Sequence, residues 1–166
     1  MFKAFLERRR LKKTFERYVT PEVARQIGDG TFDLSVPAPA ERTIEVIFVA
    51  LPAPDVTTYS ERLTMLAQLA EEHSAVIHKL SPVAVFAFGD YPTPPGSRLA
   101  LVAAVQSRFS DAAIVHGSVS AHVGSFGSSA LLEFGFWWPG MLDAVRQLAT
   151  LSPGHVHELP PNERIA

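Results

Sequence analysis

The sequence predicts an α+β domain with a ferredoxin-like β-α-β-β-α-β core, an added β-α-β unit and a preceding N-terminal helix. Three observations predict it. The stretch "AVIHKLSPVAVFAFG" holds two apolar runs on either side of the short break Ser81-Pro82. β-Branched and aromatic residues favour strands, and so short a break joins antiparallel neighbours, which gives a hairpin over 75–79 and 83–88. Its second run is apolar at nearly every position, the pattern of a strand buried on both faces at the centre of a sheet. A second buried run, "RTIEVIFVAL" (42–51), opens the domain. Segments of helical period at 59–73 and 97–109 then alternate with the strands.

The other elements follow in chain order. Residues 1–18 place Phe5, Leu11, Phe15 and Tyr18 near one helical face and basic residues on the other. In "RYVTPEVARQIGDG", Thr20 suits a cap, Pro21 a first helical turn and Gly28 a stop. Residues 31–41, rich in Pro, Ala and Ser, read as a linker. The first core helix, 59–73, carries Tyr59, Leu63, Leu66 and Leu69–Ala70 at helical spacing, with Ser60 or Thr58 as its cap. "GDYPTPPG" (89–96) is a turn-rich connection to the second helix. A strand over 111–124 leads through "SFGSSALLEFGFWWPG" into a second long hairpin. A third helix (140–150) turns Met141, Val145 and Leu148 inward, and 155–159 is a short last strand. The division is therefore a basic helical arm at 1–30, a linker at 31–41 and the domain proper at 42–160.

Composition bounds the function. The chain has 166 residues, 47% of them apolar and 19% charged, with a net charge of −2. A single domain of that length buries roughly two-thirds of its unfolded surface. There is no cysteine, so thiolate metal sites and disulfides are excluded. No apolar run reaches the roughly 18 residues of a membrane span, and no signal-peptide core is present, so the expected address is the cytoplasm. Residues 1–25 hold eight Lys/Arg against three Glu, a charge of +5, which leaves −7 for the rest. A basic arm on an acidic body admits contact with a membrane surface, but a solvated helix face is the preferred reading. Nucleic-acid binding is not expected, because the aromatics sit in apolar runs and not in a basic groove.

Four stretches carry a resemblance to one family. "KLSPVAVFAF" resembles the central hairpin K-F-I-G-D-A-V-x-A-F of class III adenylyl/guanylyl cyclase catalytic domains. "RYVTPEV" resembles the R-Y-V-S-P-E-V run before many bacterial members. "RTIEVIFVAL" with "TTYSERL" resembles the opening strand R-E-V-T-V-L-F-A-D-I and the following T-T-L-S-E-R-L. "VGSFGSSALLEFGFWWPGMLDAVRQL" resembles the later block, with Gly124, Gly127, Leu132, Phe134, Ala144 and Arg146 on family positions. The resemblance covers about residues 15–148 and implies the cyclase fold.

It also implies a site at a dimer interface, in which two Asp residues hold two metal ions and a Lys, an Asn and an Arg hold the nucleotide. Ala50 and Val83 stand where the metal-binding Asp residues are expected, Leu142 where the Asn is, and Pro139 where a base-reading Asp is. Lys79 and Arg146 match the base-reading Lys and the phosphate-stabilising Arg. The divalent-cation chemistry of cyclisation needs carboxylates at fixed points. Asp55, in a nearby turn, is one carboxylate and does not make a two-metal site. No catalytic residue, metal or cofactor is therefore expected.

Each remaining residue has a structural reading beside the functional one. Lys79 suits a solvated strand edge, and Arg146 suits an ion pair with Asp143 three residues before it. His116 with His122, and His155 with His157, share strand faces; structural roles are preferred to a paired-histidine metal site. Phe136, Trp137, Trp138 and Met141 are the candidates for a dimer interface. The expected function is a catalytically inactive cyclase homology domain: a dimerising regulatory or scaffold module in signal transduction, with a signalling protein as partner. Two alternatives stay open, a divergent active cyclase and a metal-independent sensor that binds nucleotide weakly through Lys79 and Arg146.

Overall fold

A computed structural model describes residues 39–88, 96–128 and 131–160. The helix expected at 1–18, the capped segment after it, most of the 31–41 linker and the connection at 89–95 lie outside them.

Strand β1 (Ala40–Ala50) enters at the last residues of the expected linker and is the spine of the sheet. Its even-numbered residues Ile44, Val46 and Phe48 point to one face and Ile47 and Val49 to the other, and all five are buried. That double burial explains why "TIEVIFVA" reads as a nearly continuous apolar run. Helix α1 (Val56–Glu72) follows and buries Leu66 and Ala70, four residues apart on one face. It starts earlier than residue 59, and its cap is Asp55; neither Ser60 nor Thr58 serves. It ends with Ser74 in the left-handed region (φ 58), where the Ser74 and Ala75 amides donate to the carbonyls of Glu71 and Ala70.

The hairpin β2 (Val76–Lys79) and β3 (Ala84–Phe88) is antiparallel, with a register slip between Ile77 and Lys79. All five β3 residues are buried, as the apolar run required. Helix α2 (Ser97–Arg108) leads to β4 (Ala113–Ser128), which lies antiparallel to β1 along the whole of β1. The order β2-β3-β1-β4 is the ferredoxin-like arrangement.

The far edge of β4 serves two partners in series. Strand β5 (Leu131–Trp137) pairs antiparallel with residues 122–128, and after helix α3 (Met141–Thr150) the short β6 (Val156–Glu158) pairs parallel with residues 114–116. This sharing is why β4 runs four residues beyond the expected end at 124. Gly117 is part of the seating of β6: the Leu159 amide donates to the His116 carbonyl (2.7 Å), and a Cβ at Gly117 would lie 2.7 Å from Leu159 Cβ.

The sheet separates two apolar layers. One, with Ile47, Phe86, Phe88, Leu101 and Ile114, lies under α1 and α2. The other, with Phe48, Val85, Phe136 and Trp138, lies under α3, which contributes Ala144 and Leu148. Each fully buried aliphatic or aromatic side chain contributes about 1.5–3 kcal/mol through removal of its apolar surface from water. Val145, expected inward, is 36% exposed: the helical period that buries Ala144 and Leu148 carries it to the outer side.

Candidate functional site

Ala50 and Val83, two of the positions singled out by the resemblance, lie at the end of the sheet where β1 stops and β3 starts. The register pairs Val49 with Ala84. Ala50 and Val83 are the residues next along from that last pair on the two segments. Both side chains are half-buried and pack against the apolar layer under α3. Two hydrocarbon side chains, side by side and facing an apolar layer, offer no lone pair to a hard cation.

Asp55 does not substitute for them. Its Oδ1 accepts from the Thr57 and Thr58 amides (2.9 Å each) and its Oδ2 from the Thr58 hydroxyl (2.9 Å). The Thr58 amide and hydroxyl, ahead of the Thr57 amide, hold the carboxyl below its ordinary range. The group is a helix cap. A divalent-metal pair of the kind the resemblance implies does not fit these side chains. Among the described residues, no group of three His, Asp or Glu side chains is placed to hold a metal ion.

Lys79 ends β2, exposed, opposite Val85. Arg146 lies on α3, 75% exposed, with Nη1 2.9 Å from Asp143 Oδ1. Leu142, in the first turn of α3, is 67% exposed. The four aromatic and sulfur-bearing candidates for an interface divide. Trp138 (3% exposed) packs on Phe48, with ring centroids 5.9 Å apart, and Phe136 stacks beside Trp138 at 6.0 Å. These two fill the chain's own core and leave an interface little to meet. Met141 is partly buried against the same layer. Trp137, on the opposite face of β5 by strand alternation, is 50% exposed and stacks on His122 (6.4 Å).

His78 was not among the candidates. It sits at the register slip beside Lys79, its ring edge-on to Phe136 at 4.6 Å and 84°. Its Nε2 is buried without a hydrogen-bond partner among the described residues, and burial pushes its pKa down to about 4, so the ring is neutral at pH 7.

A polar hub under α2 was also not anticipated. Buried Arg98 places Nη1 3.2 Å from His116 Nδ1, Nη2 3.3 Å from Glu158 Oε1 and Nε 3.2 Å from Glu45 Oε1. The last is an ion pair without hydrogen-bond alignment, since Nε has no aligned acceptor among the described residues. A guanidinium only donates, so Nδ1 of His116 is the acceptor and the ring is neutral. Burial first and the Arg98 charge second lower the His116 pKa, against an opposing pull from Glu158. A further pair, Arg62 and Asp111, joins α1 to the turn before β4. Arg62 also donates to the Pro52 carbonyl and lies over the Phe109 ring at 5.2 Å.

No protein-family model matches the chain, and no curated protein matches it. Solved structures do. The chain is similar to the adenylyl cyclase CyaB from P. aeruginosa, with 14% identity and a TM-score of 0.62 over 72% of this chain and 78% of that one. It is similar to the guanylate cyclase domain of RhGC from Catenaria anguillulae in complex with GTP, with 12% identity and a TM-score of 0.60 over 72% and 79%. It is also similar to a bacterial light-regulated adenylyl cyclase, with 16% identity and a TM-score of 0.65 over 89% of this chain and 51% of that one, about half the length of that protein. The domain thus has the fold of the class III adenylyl/guanylyl cyclase catalytic domains.

Proposed function

We propose that this cyclase-fold domain is non-catalytic and acts as a dimerising regulatory or scaffold module in intracellular signalling. The observation that supports it is that Ala50 and Val83, next to the last β1–β3 pair, are both packed on the layer under α3. Cyclisation requires the 3′-hydroxyl to lose its proton and the triphosphate charge to be neutralised, work that metal-bound carboxylates do. Here the carboxylate positions are hydrocarbon and Asp55 caps a helix. A catalytic role would also need a polar contact where Leu142 now stands.

The purified full chain should form no cyclic nucleotide from ATP or GTP with either magnesium or manganese. Val83→Asp alone should stay inactive, because Ala50 still provides no second ligand. Metal-dependent cyclic-nucleotide formation by the unmodified chain would overturn the reading.

A second reading, a metal-independent nucleotide sensor, draws on Lys79. That side chain is exposed and makes no ion pair or hydrogen bond with any described residue.

A further inference from the structure

Arg98 ties helix α2 to three strands at once. Its guanidinium lies 3.2 Å from His116 Nδ1 on β4, 3.3 Å from Glu158 Oε1 on β6 and 3.2 Å from Glu45 Oε1 on β1. Arg98 and His116 are buried, whereas both carboxylates reach solvent. The Glu158 contact falls on β6, which has three residues in the sheet. Backbone bonds at either end of its pairing join it to β4: the Ile114 amide donates to the His155 carbonyl (3.0 Å) and the Leu159 amide to the His116 carbonyl (2.7 Å).

This joint depends on the protonation of His116. A guanidinium only donates, so the contact requires a bare Nδ1. A proton on Nδ1 removes the acceptor and sets two cations 3.2 Å apart in a buried place, where charges repel more strongly than in water. The charged and titratable groups around the ring are Arg98 from α2, Glu158 and His157 from β6 and, beyond the guanidinium, Glu45 from β1. Burial opposes the proton first, then the Arg98 charge, with His157 adding to them and Glu158 pulling the other way. Of the elements that meet here, β6 is the one free to yield. Strand β4 is paired with β1 along the whole of β1, and α2 is anchored through Leu101, Val102 and Val105.

We propose that Arg98, His116 and Glu158 form an acid-sensitive latch, in which protonation of His116 releases β6 from the edge of β4. The edge so freed, residues 114–116, presents backbone groups of the kind that accept another strand. The latch uses none of the residues on which the non-catalytic reading rests.

Amide exchange of the full chain between pH 7.5 and pH 5, corrected for the intrinsic rate at each pH, tests it. The Leu159 amide should lose about tenfold or more of its protection. Opening takes up one proton, and each pH unit beneath an ordinary histidine pKa is worth up to about tenfold. The loss should be insensitive to low urea, which marks the opening of a few residues and not of the whole sheet. His116→Asn keeps an acceptor oxygen near the place of Nδ1 and cannot take the proton, so Leu159 should keep its protection at pH 5. Glu158→Gln, an exposed change, should lower Leu159 protection at both pH values. His157→Gln should leave the pH slope of the unmodified chain. Leu159 protection that ignores pH, or that falls only through urea-sensitive opening, would overturn the latch whether or not His116→Asn folds. A slope that survives in His116→Asn, or that vanishes in His157→Gln, would assign the proton elsewhere and overturn it as well.

Discussion

Protonating His78 would put a charge against the Phe136 ring with no acceptor for Nε2 among the described residues. Its pKa is about 4 in the folded chain against an ordinary 6.5, so between these values the unfolded chain binds a proton that the folded chain refuses. Stability therefore rises with pH across that window and is lost as pH falls from about 6.5 towards 4, by about 3 kcal/mol from this site. Urea unfolding at steps from pH 7 to pH 4 should show the loss, and His78→Phe should flatten it. A residual slope of the same sign is expected from His116, whose pKa is also lowered, first by burial. A variant with the full original slope would assign the effect elsewhere. Neither histidine's role was legible in the sequence. His78 owes its environment to a register slip, and His116 to Arg98 and Glu158, which only the fold brings to it.

At the scale of elements, strands with continuous apolar runs were legible, because burial on both faces leaves no other composition. The errors came where local chemistry suggested punctuation. The strand was expected to end at 124, yet β4 continues to Ser128 because β5 pairs with it. Asp55 reads as a turn residue near a lost site, and the amides of Thr57 and Thr58 make it a cap. The short β6 gives the sharpest test of element seating. It has three residues in the sheet, and the following Leu159 crosses directly over Gly117. Gly117→Ala would force that backbone away and should cost roughly 1–3 kcal/mol. Faster amide exchange at Leu159 should accompany the loss. Unchanged exchange and stability would mean that Leu159 gives way freely.

For the whole molecule, the fold and the order of its elements were legible from four weak resemblances in sequence, while the site was legible only as identities at positions. What those side chains do depends on neighbours supplied by other elements: Val83 beside Ala50, Phe136 beside His78, Trp138 over Phe48. This bears on nucleotide binding. Two exposed cations, Lys79 and Arg146, the second already paired with Asp143, leave most of a triphosphate's charge unneutralised. Calorimetry with ATP and GTP should therefore show weak binding that magnesium does not tighten. Tight, magnesium-dependent binding would contradict both the non-catalytic reading and the account of Ala50 and Val83.

The register of β1 bears on where the domain can be tethered. Ala40 lies opposite Val123, and β6 runs parallel to β4, so its chain heads towards that same end of the sheet. Ala50, Val83 and the start of α1 occupy the other end. The start of β1 thus lies at one pole, and Ala50 and Val83 lie at the opposite one. A tether joined directly at Ala40 would attach away from Lys79 and Val83 and leave that pole accessible.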